Sequence, residues 1–343
     1  MSDGAERGTS ERPSEPTTPS DGAERGTSER PSEPTTPSVA RLGFDDLPAA
    51  LVAELQKAGL DARGLYDHVA LALAEDVPTD DVTSAATIPG SQEGVADLVS
   101  REAGTVAGTA VAELVFRYVV GSEVRVERPV HDGTAVQRGT TLLTVAGPVR
   151  QLLIAERTAL NFLCRLSGIA TDTARWVTAL GGSGARVRDT RKTTPGWRRL
   201  EKYAVRCGGG VNHRASLSDQ ALIKDNHVLA AGGVVAAYRA VQEAYADRTP
   251  PLPIQVEVDS LEQLAEVLDA GATQVLLDNM VPDQMREAVR LNAGRATLEA
   301  SGGLTLETAA AVAATGVDYI AVGALTHSTN VFDVGMDLRP DGA

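Results

Sequence analysis

Six basic residues stand close together in an otherwise acidic chain. Asp189-Thr190-Arg191-Lys192-Thr193-Thr194-Pro195-Gly196 supplies two, Asn212-His213-Arg214 two more and Leu222-Ile223-Lys224 a fifth, while Arg157 lies upstream in Glu156-Arg157-Thr158-Ala159-Leu160-Asn161. The 343 residues carry a formal charge of −14, so such a concentration calls for an anionic partner. Planar guanidinium groups suit bidentate capture of carboxylate or phosphate. Lys224 continues the apolar run Ala221-Leu222-Ile223 and reads as part of a strand, where a lysine is costly unless paired. The run Gly208-Gly209-Gly210 permits positive φ and close backbone approach, as anion-cradling loops require. Solvated surface is the competing reading, and these two features weigh against it.

Acidic residues recur at a fixed interval. Glu257, Asp278 and Glu299 are 21 residues apart each time (278−257 and 299−278), near the ends of strand-like runs at 254–259, 274–279 and 296–301. Helical patterns at 261–270, 283–292 and 306–315 separate these runs, and a further strand-like run spans 318–323. Strands alternating with helices of this length imply parallel βαβ units. In a βα barrel the C-terminal strand ends line one mouth, where the chemistry is done. Unpaired buried carboxylates are costly, so a repeat that delivers Glu257 and Asp278 to that mouth points to function. Glu299 reads equally well as a structural partner for a neighbouring cation. Cations facing carboxylates suggest a substrate with several negative charges together with a divalent metal, which favours oxygen ligands.

A phosphate site is expected after the last two strands of the repeat. Ala300-Ser301-Gly302-Gly303-Leu304 and Ala321-Val322-Gly323-Ala324-Leu325 occupy matching positions, again 21 residues apart (322−301). Glycines there, opening onto helix N-termini, form a common barrel phosphate grip.

The elements holding these residues need a sizeable core. The chain is 43% hydrophobic but only 3% aromatic, so Val, Leu and Ala must do most of the packing. Its pI near 4.9 argues against a general nucleic-acid binder. No apolar run approaches the roughly 18 residues of a membrane span, and no secretory signal pattern opens the chain. Two cysteines, Cys164 and Cys207, cannot build a disulfide framework or a four-ligand zinc site. The expectation is a soluble, cytoplasmic protein.

Three regions are expected. Residues 1–38 hold a perfect tandem copy, SDGAERGTSERPSEPTTP at 2–19 and again at 20–37, without Val, Leu, Ile or aromatic residues. That composition predicts a disordered tail. Residues 39–160 read as an α+β sandwich domain, with helices at 47–58, 65–74 and 110–119 and strands at 95–100 and 104–108. The turn spacing from His131 to Gly147 is like that of a lipoyl or biotinyl carrier, but no lysine sits there to bear a cofactor. Residues 161–327 read as the βα barrel, beginning with a short strand at 185–187, and 328–343 would pack back near the sandwich domain.

The stretch DTRKTTPGWRRLEKYAVRCGGGVNHRASLSDQALIKDNHV resembles the signature of the quinolinate phosphoribosyltransferases, and ERTALNFLCRLSGIAT, VEVDSLEQ, LLDNM, EASGGL and VGALTHS fit the same family. The resemblance runs from about Leu47 nearly to the C-terminus. Trp197 stands where an aliphatic residue is expected, and Asp80-Asp81 where Gly-Asp is expected. The resemblance implies transfer of phosphoribose from phosphoribosyl pyrophosphate to quinolinate with loss of CO2, giving nicotinate mononucleotide in NAD biosynthesis. It implies that Arg157, Arg191, His213, Arg214 and Lys224 hold the dicarboxylate, with Thr190 beside them, and that Lys192 reaches the pyrophosphate. Glu257 and Asp278 would hold ribose hydroxyls and Mg²⁺, directly or indirectly, with Lys192, Glu257 and Asp278 as the catalytic set. Ser301, Gly302, Gly303, Val322, Gly323 and Ala324 would hold the 5′-phosphate. A homodimer with shared active sites is implied, Arg157 coming from the neighbouring subunit, with assembly into a hexamer of dimers as an extension.

Two other readings compete. A related pyrophosphorylase acting on another base, such as the molybdenum-locus proteins, should lack part of the dicarboxylate set, which is complete here. A non-catalytic phosphate-binding barrel would not need Glu257 and Asp278 together with Lys192.

Overall fold

Alternation of apolar and polar residues decides which side of each strand faces the barrel interior. The computed structural model describes residues 41–339, so the tandem-repeat tail and residues 340–343 lie outside the described residues.

The N-terminal part is helical at first. Helices α1 (Ala49–Lys57), α2 (Ala62–Asp76) and α3 (Val82–Thr87) precede strand β1 (Glu93–Ser100). Asp61 caps α2, and Asp81 caps α3 by accepting from the backbone of Thr83 and Ser84. Short strand β2 (Gly104–Thr105) leads into α4 (Thr109–Val120), followed by β3 (Arg125–Glu127), β4 (Ala135–Val136) and β5 (Thr141–Pro148). Gly108 precedes α4 in a left-handed conformation, so the first α4 amides are capped from afar: Asp132 accepts from Gly108 N at 2.7 Å and Thr109 N at 3.0 Å. The larger sheet has the order β12-β1-β5-β3, in which β12 (Val334–Leu338) returns from the far end of the chain to pair antiparallel with β1. A two-residue pairing of β2 with β4 stands apart.

Helix α5 (Val149–Ala179) runs for 31 residues and carries much of the core. The boundary expected at 160/161 falls in its middle, because an unbroken periodic pattern from Val149 to Ala179 buries one helix face against both halves. Ser167 and Thr171 on this helix accept from the backbone of Ala107 and Thr105 at 3.0 and 2.9 Å. Gly168 is required there, since a Cβ would collide with the backbone near Asn330 and Phe332.

The second half is a parallel six-stranded sheet of order β6-β11-β10-β9-β8-β7. Its strands are β6 (Arg186–Arg188), β7 (Ala221–Ile223), β8 (Ile254–Val258), β9 (Gln274–Asp278), β10 (Thr297–Ser301) and β11 (Tyr319–Ala321). The helices are α6 (Arg198–Cys207), α7 (Asp225–Ala231), α8 (Val234–Ala244), α9 (Leu261–Asp269), α10 (Pro282–Asn292), α11 (Leu306–Ala313) and the four-residue α12 (Ala324–His327). Val211 bridges to Arg188 in parallel beside the sheet edge, between β6 and β7 in chain order. Outward-facing Val187, Val256, Val258, Val275, Leu277, Leu298 and Ile320 are buried. Each such side chain contributes about 1.5–3 kcal/mol against exposure. The alternate, inward positions hold the polar residues Arg188, Gln255, Glu257, Asp278, Glu299 and Ser301 together with Leu222, Leu276 and Ala321, so charge lies among apolar side chains at the barrel mouth.

Candidate active site

The C-terminal strand ends converge on a cavity of about 800 Å³. Thr190, Arg191, Lys192, His213, Arg214, Lys224, Glu257, Asp278, Ser301, Gly302, Gly303, Val322, Gly323 and Ala324 all line it, and Glu299 forms part of its wall. Arg157 does not line it; it is exposed on α5. Sequence reasoning passed over Asn279 and His327, which also line the cavity. Asn279 follows β9 with φ of 57°, and Gly302 is needed beside it, since a Cβ there would lie 2.9 Å from the Asn279 amide nitrogen. His327 and Lys192 both approach Gly323, their nearest atoms 3.3 and 3.0 Å from where a Cβ would stand. Both had a signal, being embedded in the motifs LLDNM and VGALTHS.

One wall is cationic. Burial, reinforced by the neighbouring Arg191, holds the Arg214 guanidinium below its ordinary value. Two like charges held together and partly desolvated favour an anion between them. Arg191 Nε is buried without a hydrogen-bond partner among the described residues, a donor free for a ligand. Arg214 is fixed by NH1 donating to the Gln220 carbonyl at 2.9 Å. Lys224 lies one residue beyond β7, as the N-cap of α7, with its side chain half exposed. The expectation that it sits inside an apolar strand is corrected: β7 ends at Ile223, and the ammonium reaches water and the Glu257 carboxylate, to which it donates.

The glycine run does not line the cavity. Gly208 and Gly210 pack against α5: a Cβ on Gly208 would lie 2.5 Å from Thr173 Cβ, and one on Gly210 2.8 Å from Thr173 Cγ2. Close approach is the requirement read from the sequence, but the approaching group is a helix, not an anion.

Behind the cationic wall lies a layer of buried polar contacts. Lys202 donates to Asp189, which also accepts from Asn212 Nδ2 at 2.6 Å and the His213 amide at 2.7 Å. Burial pushes the Asp189 carboxyl up and the Lys202 ammonium down, each shift opposed by the partner's charge. Lys192 is pinned at its backbone, its amide donating to Thr190 Oγ1 at 3.0 Å and its carbonyl accepting from Thr326 Oγ1 at 2.6 Å. Trp197 stacks on Phe162 at 4.8 Å and meets His68 edge-on, filling a cluster between α2 and α5. Neither cysteine lines the cavity, and burial pushes the Cys207 thiol up to about 12 and raises Cys164 as well.

The carboxylate side adjoins the cationic one where Lys224 meets Glu257. Glu257, Leu276 and Glu299 share one row of the sheet register, and Asp278, Ser301 and Ala321 the row above. Glu257 and Asp278 therefore stand at successive heights beside the loops Ser301–Gly303 and Val322–Ala324. The glycines do not open directly onto helices of useful length, since α11 begins only at Leu306 and α12 spans four residues. Exposed backbone in those loops, with Gly302 and Gly303 at positive φ, forms the small-residue side of the cavity.

This combination defines a βα-barrel phosphoribosyltransferase fold whose site is built for a polyanion. A family model for the quinolinate phosphoribosyl transferase C-terminal domain matches residues 169–337, and one for the N-terminal domain matches 81–167. The chain belongs to the quinolinate phosphoribosyltransferase family. It is 52% identical over 277 residues to the carboxylating nicotinate-nucleotide pyrophosphorylase of Mycobacterium leprae, covering 79% of this chain and 96% of that protein. Among solved structures, NadC from Streptococcus pyogenes superimposes with a TM-score of 0.76 at 41% identity, covering 80% of this chain and 95% of that one. The nicotinate-nucleotide pyrophosphorylase from Francisella tularensis gives 0.75 at 33% identity, covering 86% and 99%.

Proposed function

We propose that the protein transfers phosphoribose from phosphoribosyl pyrophosphate to quinolinate and releases CO2, forming nicotinate mononucleotide. The observation that carries this reading is the single cavity that gathers Arg191, Arg214 and Lys224 with two carboxylates and two glycine loops, the two sets meeting where Lys224 donates to Glu257. Quinolinate presents two adjacent carboxylates to the cationic wall. Arg214 and Lys224 hold them, and the free Nε–H of Arg191 supplies a further donor. Lys192 faces the pyrophosphate, and the loops at Ser301–Gly303 and Val322–Ala324 receive the 5′-phosphate.

The ring nitrogen attacks C1 of the ribose as the C1–oxygen bond to pyrophosphate breaks. Positive charge grows on the ribose in that state, and Glu257 and Asp278 stabilise it while holding the hydroxyls. The ring nitrogen becomes cationic, so the C–C bond to the adjacent carboxylate can break with its electron pair left on the ring carbon. CO2 departs and a proton takes its place.

Mg²⁺ fits the donor set present. Among the described residues no group of three or more His, Cys, Asp and Glu could hold a metal alone, but Glu257 and Asp278 offer oxygen ligands beside the pyrophosphate position. Bound there with substrate oxygens, Mg²⁺ would neutralise charge on the leaving pyrophosphate.

The active unit is a homodimer. Arg157 is exposed outside its own chain's cavity, which supports delivery of this arginine to a partner's cationic wall across an isologous interface. Among the described residues no helix is long and apolar enough to cross a membrane.

Quinolinate labelled at the 2-carboxylate, incubated with phosphoribosyl pyrophosphate and Mg²⁺, tests the activity. Labelled CO2 and pyrophosphate should appear in equal amounts with nicotinate mononucleotide. Pyrophosphate release without CO2 would contradict it.

A further inference from the structure

His213 lines the cavity, yet its ring has no free nitrogen. Nδ1 lies 2.7 Å from the Arg214 amide, which donates to it, and Nε2 lies 2.7 Å from Gln255 Oε1. Gln255 is itself buried, and its Nε2 donates to Glu299 Oε2 at 3.0 Å. Glu299 is 1% exposed and receives a second bond at that oxygen from Arg188 NH1 at 2.7 Å. Its Oε1 accepts from no described residue and lies 3.7 Å from His213 Nε2.

Each link leaves the next no choice. A carboxylate only accepts, so the Gln255 amide must turn its NH2 towards Glu299 and its oxygen towards His213. That oxygen also only accepts, so Nε2 must carry the ring proton. A neutral imidazole has one proton, so Nδ1 is bare and takes the Arg214 N–H. The arrangement spans β10, β8 and the segment after Val211, three elements far apart in the chain.

We propose that Glu299 is a positioning residue: through Gln255 it imposes the Nε2–H tautomer on His213, which then anchors the Arg214 backbone where its guanidinium meets the dicarboxylate. The proposal rests on the quinolinate reading for its substrate, but the tautomer can be read without turnover. His213 thus acts on the substrate through Arg214 and makes no direct contact through its ring nitrogens. Burial, only partly opposed by the charge of Glu299, keeps the His213 imidazole below its ordinary value, in line with a neutral ring. Arg188 lies 3.7 Å over the Tyr319 ring, which fixes the cation that orients Glu299.

Two measurements test this. In wild-type protein labelled with 15N-histidine, with His213→Asn used to assign the signal, two-bond proton–nitrogen correlation at pH 7.5 should show His213 neutral and protonated at Nε2. An Nδ1–H tautomer or an imidazolium would overturn the proposal. In Glu299→Gln the amide can donate to Gln255 Oε1 and let Gln255 turn over, so KM for quinolinate should rise about tenfold, the value of one charged hydrogen bond. KM for phosphoribosyl pyrophosphate should stay within about twofold. In the His213→Asn background, Glu299→Gln should add less than about twofold to KM for quinolinate, since its route is already cut. Equal rises for both substrates, or additive effects in the double variant, would show Glu299 to be merely structural. If Glu299→Gln fails to fold, the wild-type tautomer alone decides.

Discussion

Arg165 on α5 and Glu201 on α6 meet in two hydrogen bonds of 2.8 and 3.3 Å, and through them the barrel fixes the loop that carries Lys192. Glu201 is fully buried and accepts from both the amide and the hydroxyl of Thr194, at 3.0 and 2.8 Å. Arg165 also donates to the Thr326 carbonyl at 2.6 Å, and the Thr326 hydroxyl donates to the Lys192 carbonyl. Three helices thus hold the loop that carries Lys192.

Arg165→Ala leaves the Glu201 carboxylate buried without its cation. Breaking a buried pair typically costs 3–5 kcal/mol, and the partial exposure of Arg165 brings the expected loss to about 2–4 kcal/mol. Denaturant unfolding measures it, and kcat should fall as the loop loosens. A loss under about 1 kcal/mol would mean that the clamp bears little load.

The pH dependence of stability should carry the mark of His68. Burial in the Phe162–Trp197 cluster holds its imidazole below the ordinary value. The unfolded chain takes up that proton near pH 6.5 while the folded protein still refuses it. The contribution is therefore full above about pH 6.5 and is lost as pH falls towards the folded value. Asp189 and Glu156, whose carboxyls burial raises, act in the opposite direction but do so in wild type and variant alike. His68→Phe should accordingly lose less stability than wild type between pH 7 and pH 5. Parallel curves would contradict this.

Substitution on the cationic wall should separate the two substrates. Arg214→Ala or Lys224→Ala leaves one quinolinate carboxylate unpaired, and losing one partner of a buried charge pair costs on the order of 2–5 kcal/mol. Lys224 is half exposed, so its effect should fall at or below the lower end, at least about tenfold in KM for quinolinate. KM for phosphoribosyl pyrophosphate should change much less. Equal weakening of both would dissolve the proposed division between the walls.

Much of this arrangement could be read before any coordinates. The repeat around Glu257, Asp278 and Glu299 fixes β8, β9 and β10 to within a residue or two, because alternation on a strand and caps on a helix are local signals. What was not legible depends on distant partners. Glu299 is the partner of Arg188, from a strand 111 residues earlier, and of Gln255, a residue with no motif of its own. The sequence could place His213 at the cavity but not show that both ring nitrogens were already taken. Gly208 and Gly210 announced a close approach without saying that α5 makes it. Helix α8 drew no attention, since it lies outside the 21-residue repeat and carries no site residue.

The shared-site dimer predicts complementation. Arg157→Ala and Lys192→Ala should each be nearly inactive alone. Co-expressed, they should form about half mixed dimers, each with one intact and one doubly damaged site, so activity should recover to roughly a quarter of wild type. A verified mixed dimer without activity would place Arg157 in its own chain's site.

If the cationic wall holds both carboxylates of the pyridine ring, quinolinate and nicotinic acid should differ sharply as substrates. The ratio of kcat/KM for quinolinate to that for nicotinic acid, measured with saturating phosphoribosyl pyrophosphate and Mg²⁺, tests it most directly. The second carboxylate should favour quinolinate by at least about a hundredfold, since an Arg or Lys left unpaired in the site costs several kcal/mol. Turnover of nicotinic acid as fast as, or faster than, quinolinate would contradict the account.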